Sequence, residues 1–169
     1  MTGILGLVRL PDVVSILNAS FGYASILAAS DGRFGSSAVL IIAAIVADGI
    51  DGFLARRVGD GPLGIQIDSL ADLLSFGVAP AFLAWAAFGS CFGVLGGLYL
   101  ACGILRLARF NVDVKEKTWA YKGYAQGLTS TMAGGSLVTF VWIFNGYLAD
   151  AHVPVTAVAG VVLGMALLM

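Results

Sequence analysis

GSSAVLIIAAIVADGIDGFLARR, residues 35–57, decides how this chain has to be read. From Ala38 to Ala47 it holds no polar side chain, and it then sets Asp48, Asp51, Arg56 and Arg57 within ten positions. A helix over this run is apolar all round and long enough to cross about 30 Å of hydrocarbon. Its charges therefore collect at one membrane edge. Ionisable groups at membrane depth are costly and face the bundle interior or an aqueous cavity, so the two aspartates are functional candidates from the outset.

The surrounding sequence has the same character. Of 169 residues, 59% are hydrophobic and 11% charged, with a mean hydropathy of +0.96. A soluble domain carries about a quarter charged residues, so that class is excluded and an integral membrane protein is predicted. Divided at Gly, Pro and charge clusters, the apolar runs predict six spans at about 13–30, 35–55, 63–88, 92–110, 125–148 and 153–169. The predicted fold is all-α, a six-transmembrane-helix bundle forming one domain over residues 1–169. Phe88-Gly-Ser-Cys reads as a tight turn, and Pro80 predicts a local bend inside the third span. No cleavable leader is expected, because a single Arg9 precedes the first run and no small-residue cleavage site follows it. The last run meets the end of the sequence without a polar tail.

Cations are few enough to orient the bundle one by one. Arg9, Arg56, Arg57, Arg106, Arg109, Lys115, Lys117 and Lys122 fall on one side, and only Arg33, of nine in all, falls on the other. The positive-inside rule then places both termini and the loops after spans two and four in the cytoplasm. A multi-pass plasma-membrane protein is expected, its charged edge facing the cytoplasm. The net charge of -1 says little about partners, but a basic rim suits phosphate-bearing ligands and anionic headgroups rather than nucleic acid.

Asp48 and Asp51 are three apart, and Asp68 and Asp72 four apart, so each pair shares a face of its own helix. Carboxylates brought face to face repel unless cations lie between them, and clustered carboxylate oxygens suit hard divalent ions such as magnesium. The connecting stretch carries Gly52, Gly59, Gly61 and Gly64, and Asp60 with Pro62 predicts an N-cap with proline in the first turn of the third span. Free N–H groups there would suit phosphate. Cys91 and Cys102 show no metal spacing and have no histidine nearby, and His152 falls in an outer loop. Lys115 to Gly127 is the most polar stretch, with Trp119, Tyr121 and Tyr124 among its lysines. It reads either as an interfacial segment with aromatic anchors or as a lid to which Lys122 or Gln126 lends contacts.

Asp48-x2-Asp51-Gly52-x2-Ala55-Arg56-x7-Gly64-x3-Asp68-x3-Asp72 resembles the signature of the CDP-alcohol phosphotransferase family of integral membrane enzymes. The resemblance covers most of the chain. It implies that Asp48, Asp51, Asp68 and Asp72 bind two divalent cations, Mg2+ or Mn2+, and that Asp72 is also the general base. It further implies that Gly52 and Arg56 contact CDP and that Asp12-Val-Val-Ser15 helps hold the nucleotide, with Asn18 one turn on. Many members carry Asn and Thr where this chain has Asp12 and Ser15. Homodimers among such relatives imply a homodimer here. Phosphoryl transfer fits the residues on physical grounds too, since it needs in-line positioning and charge neutralisation more than covalent chemistry from the protein.

Around this motif, Asp68-Ser-Leu-Ala-Asp72-Leu-Leu-Ser75-Phe76-Gly77-Val-Ala-Pro80 and Arg106-Leu-Ala-Arg109-Phe110-Asn111 resemble the membrane-embedded phosphatidylserine synthases and the archaetidylserine synthases. Relatives that use glycerol phosphate tend to carry Lys after the last Asp, where this chain has Leu73. Gly127-Leu128-Thr129 stands where many such synthases have Gly-Leu-Pro. The resemblance implies transfer of a phosphatidyl or archaetidyl group from a CDP-activated lipid to L-serine, with release of CMP. Arg106 and Arg109, three apart, can share a face, and one of them is assigned to the serine carboxylate or the lipid phosphate. Ser75 and Asn111 are further acceptor candidates, Ser75 with helix packing as the alternative. Two rivals stay open: the same chemistry with glycerol 3-phosphate, inositol phosphate or another alcohol, and a cation transporter, which requires acids spread through the membrane depth.

Overall fold

In the computed structural model, which describes residues 8–59, 61–89, 91–115, 129–147 and 155–168, every regular element is a helix. Helix α1 covers Leu10–Ser30. It starts ahead of the expected boundary because Pro11 occupies its first turn, where a missing N–H is harmless, and because Asp12 Oδ2 accepts the Arg9 N–H at 2.7 Å. Helix α2, Phe34–Val58, runs on through both arginines and stops at Gly59, whose φ of 83° favours glycine.

Three elements then follow one another without a gap: α3 (Gly64–Asp72), a π-helical turn (Leu73–Val78) and α4 (Ala79–Phe88). The expectation of Pro62 inside the first helical turn is corrected. A turn closed by the Gly64 N–H on the Gly61 carbonyl, at 3.0 Å, comes first, and the helix starts at Gly64. A second turn at Gly89, φ 83°, leads into α5 (Cys91–Lys115), as the Phe88-Gly-Ser-Cys stretch predicts. Helices α6 (Ser130–Tyr147) and α7 (Val155–Leu168) complete the order.

Among the described residues, four helical segments are long and apolar enough to cross a membrane: Leu10–Ser30, Phe34–Val58, Gly64–Phe88 and Phe92–Asp113. They coincide with the first four predicted runs. Helices α6 and α7 occupy the other two, and the described apolar part of α6 is Ser130–Ile143. Residues such as Val13, Leu17, Val39, Val46, Leu98 and Leu105 are exposed and form an apolar outer surface, while Asp12, Ser15, Asn18, Ser25, Ser37, Asp51, Asp72 and Ser75 are buried. Apolar side chains thus face both the core and the outside while polar ones are gathered inside, the distribution a lipid environment selects.

The expected break at Pro80 takes the form of the π-helical turn ahead of it, and its neighbours lock it from three sides. Proline brings no N–H to the carbonyl four residues back, that of Phe76. The fully buried Tyr99 of α5 donates its hydroxyl to that carbonyl at 2.7 Å. From α1, Gly22 approaches so closely that a Cβ there would lie 2.8 Å from Ser75 Cα. From α6, a Cβ on Gly134 would lie 3.0 Å from Phe76 Cα. The segment that follows Asp72 directly is thereby fixed in place.

Candidate active site

The two aspartate pairs sit on α2 and α3, and three of the four carboxylates converge. Carboxylate oxygens of Asp48, Asp68 and Asp72 lie within 4.8 Å of one another. Asp51, one turn from Asp48, is held from α1, where Ser15 Oγ donates to its Oδ2 at 2.6 Å. The three-residue spacing rotates the two α2 side chains enough to give each a different neighbour. Asp48 leans toward α6 and accepts the Thr131 hydroxyl at 3.1 Å. Asp72 is buried, and the Ser130 hydroxyl reaches its Oδ2 at 3.4 Å while its Oδ1 is enclosed with no hydrogen-bond partner.

This donor set fits hard divalent cations. All the converging atoms are carboxylate oxygens, the ligands such ions prefer. Each pair of charges at about 4.8 Å repels by roughly 3 kcal/mol at an effective dielectric near 20, and a cation between them reverses that term. A partnerless buried oxygen on Asp72 is a position a metal or its water satisfies.

Beside the cluster opens a cavity of about 270 Å³, lined by Asp12, Ser15, Asp51, Gly52, Arg56 and Asp68 among others. Four of the five residues assigned to CDP are in that wall, and Asp51 and Asp68 join it to the carboxylates. Asn18 is not; it is fully buried, and neither of its amide atoms has a hydrogen-bond partner. Arg56 and Arg57 diverge: Arg56 lines the cavity, whereas the Arg57 guanidinium stacks 4.4 Å above the Phe53 ring.

Among the acceptor candidates, the structure separates Arg106 from Arg109. Arg106 Nη1 donates to Ser130 Oγ at 3.0 Å and so stands next to Asp72. Arg109 is exposed, with Nε 3.9 Å from Asp113. Asn111 Oδ1 accepts the Ser69 hydroxyl at 3.0 Å, which ties α5 to α3. Ser75 donates to the Asn18 carbonyl at 2.9 Å within the α1 packing contact. Lys122, Gln126 and most of the proposed lid lie outside the described residues. Sequence reasoning missed Ser130 and Thr131, whose signal is two adjacent hydroxyls at the head of an apolar run, and Phe110, which joins the cavity wall.

The comparisons agree with this geometry. Residues 8–168 match the model of the CDP-alcohol phosphatidyltransferase family. The chain is 44% identical over 115 residues to the archaetidylserine synthase of Methanothermobacter thermautotrophicus, covering 64% of this chain and 49% of that protein. It is 33% identical over 153 residues to the CDP-diacylglycerol–serine O-phosphatidyltransferase of Methanocaldococcus jannaschii, covering 89% and 69%. Against the Helicobacter pylori protein of the same name it is 37% identical over 108 residues, covering 61% and 46%. The chain thus spans about half the length of the first and third of these relatives and about two thirds of the second. A family match over nearly its whole length, with the aspartate signature gathered beside one polar cavity, makes this chain a member of the CDP-alcohol phosphatidyltransferase family.

Proposed function

We propose that this chain transfers the phosphatidyl or archaetidyl group of a CDP-activated lipid to the hydroxyl of L-serine and releases CMP. The observation that carries the proposal is the convergence of Asp48, Asp68 and Asp72 within 4.8 Å, next to a cavity that Arg56 lines. Relatives named as serine transferases and archaetidylserine synthase support serine as the acceptor.

In this reading CDP enters the cavity along Asp12, Ser15, Gly52 and Arg56, and the lipid tails stay in the bilayer. Two divalent cations, Mg2+ or Mn2+, held by Asp48, Asp51, Asp68 and Asp72, would neutralise the diphosphate oxygens and stabilise CMP as the leaving group. The serine hydroxyl oxygen bonds to the lipid-side phosphorus, its proton passes to Asp72, and the P–O bond to the CMP phosphate breaks. Arg106, the candidate cation nearest Asp72, pairs with the serine carboxylate. The six-span bundle with cytoplasmic termini, a plasma-membrane location and a homodimer belong to the same proposal, supported by the cation distribution and the family resemblance.

The acceptor is tested with purified protein in detergent, Mn2+ and a CDP-lipid, by measuring CMP release with serine, glycerol 3-phosphate or inositol phosphate. Serine-dependent release is expected. Release with inositol phosphate but not serine contradicts the acceptor, and no release with any alcohol contradicts the enzyme. A cation transporter would need acids through the membrane depth, whereas Asp48, Asp51, Asp68 and Asp72 gather around one α2–α3 connection.

A further inference from the structure

Helix α6 opens with three hydroxyl residues, Thr129, Ser130 and Thr131, and only the first is used to start the helix. Thr129 Oγ1 accepts the Met132 N–H at 3.3 Å, and its carbonyl accepts the Ala133 N–H at 2.9 Å. The ordinary reason for Ser or Thr at a helix start is thereby met. The other two hydroxyls turn inward and reach carboxylates 58 and 83 residues away in sequence, Asp72 and Asp48.

At Ser130 the direction of the hydrogen bonds is fixed by chemistry. A guanidinium can only donate, so the Arg106 Nη1 contact at 3.0 Å makes Ser130 Oγ an acceptor on that side. The single hydroxyl proton is then available for Asp72 Oδ2 at 3.4 Å. With Oδ2 engaged, Asp72 has its other oxygen, Oδ1, enclosed and unpartnered.

We propose that Ser130 is a positioning residue for the transfer reaction: it anchors Asp72 through Oδ2 and leaves Oδ1 available to the reacting centre, while Thr131 anchors Asp48 in parallel. This rests on the transferase reading above. It makes the head of α6 a second wall of the active site, and it connects Arg106 to the general base through one hydroxyl. Neither residue touches the substrate in this account. Partners of this kind, behind a ligating or catalytic carboxylate, are worth on the order of 10- to 100-fold in activity or metal affinity.

The test compares Ser130→Ala and Ser130→Thr with wild type in detergent, following CMP release, thermal midpoint and Mn2+ binding by electron paramagnetic resonance. Ser130→Ala is expected to lower kcat by about 10- to 100-fold with KM for the CDP-lipid within about twofold, and Ser130→Thr to restore most of it. Thr131→Val is expected to weaken Mn2+ binding by about tenfold, and Thr131→Ser to recover it. A Ser130→Ala protein with wild-type kcat overturns the proposal. So does a loss that Thr fails to rescue and that comes with a lowered thermal midpoint, because Ser130 is then a packing residue. No CMP release from wild-type protein overturns the transferase reading itself, and this role with it.

Discussion

Three of the four aspartates are held by hydroxyls from other helices. Asp51 is tied to α1 through Ser15, Asp48 to α6 through Thr131, and Asp72 to Ser130, while Asp68 lines the cavity and joins the cluster. Asp72→Asn keeps the shape and removes the proposed base, so kcat is expected to fall by about 10²- to 10⁴-fold while CDP-lipid still binds, as measured by CMP release and an equilibrium binding assay. The carboxylates were legible in the sequence because their spacing repeats a helical turn. Their partners were not: Ser130 and Thr131 reach them across 58 and 83 residues, and no local pattern encodes such contacts. Arg106 and Arg109 are indistinguishable by spacing, and only the packing of α6 against one of them separates their roles.

At the scale of the element, the span from Gly64 to Phe88 carries the most information. Hydropathy read it as one run, and Pro80 marked it as irregular, but a proline does not say where its orphaned carbonyl finds a donor. Tyr99 answers that, from a different helix. Tyr99→Phe would remove the side-chain donor to the buried Phe76 carbonyl, at a cost of about 1–3 kcal/mol, read as a lower thermal midpoint in detergent. Gly22 is the matching constraint from α1. Gly22→Leu would drive a side chain into Ser75, whose Oγ already lies 2.5 Å from where a Cβ would be, and is expected to disturb the Asp72 register and activity together. Gly22 and Gly134 stand out in the sequence only as small residues in apolar runs. Which pairs meet depends on helix register, which periodicity does not fix.

For the molecule as a whole, an apolar core and an apolar outer surface enclose a small set of buried polar groups, and the carboxylates concentrate repulsion at one place among them. Chelation with EDTA is therefore expected to abolish CMP release and lower the thermal midpoint, both restored by Mg2+ or Mn2+, because an ion bound only by the folded state stabilises it. The restoring shift is expected to shrink in Asp68→Asn. All-helical character and the first four membrane-crossing segments were legible from hydropathy alone, since a membrane demands them in every such sequence. The proposed reaction is the transfer of a lipid-phosphate group onto serine at this carboxylate cluster. Its most direct measurement is mass spectrometry of lipids from vesicles holding the purified protein, a CDP-lipid, Mn2+ and isotopically labelled serine. A labelled serine phospholipid formed in equal amount with CMP is the predicted result; CMP without labelled lipid, or neither product, would contradict it.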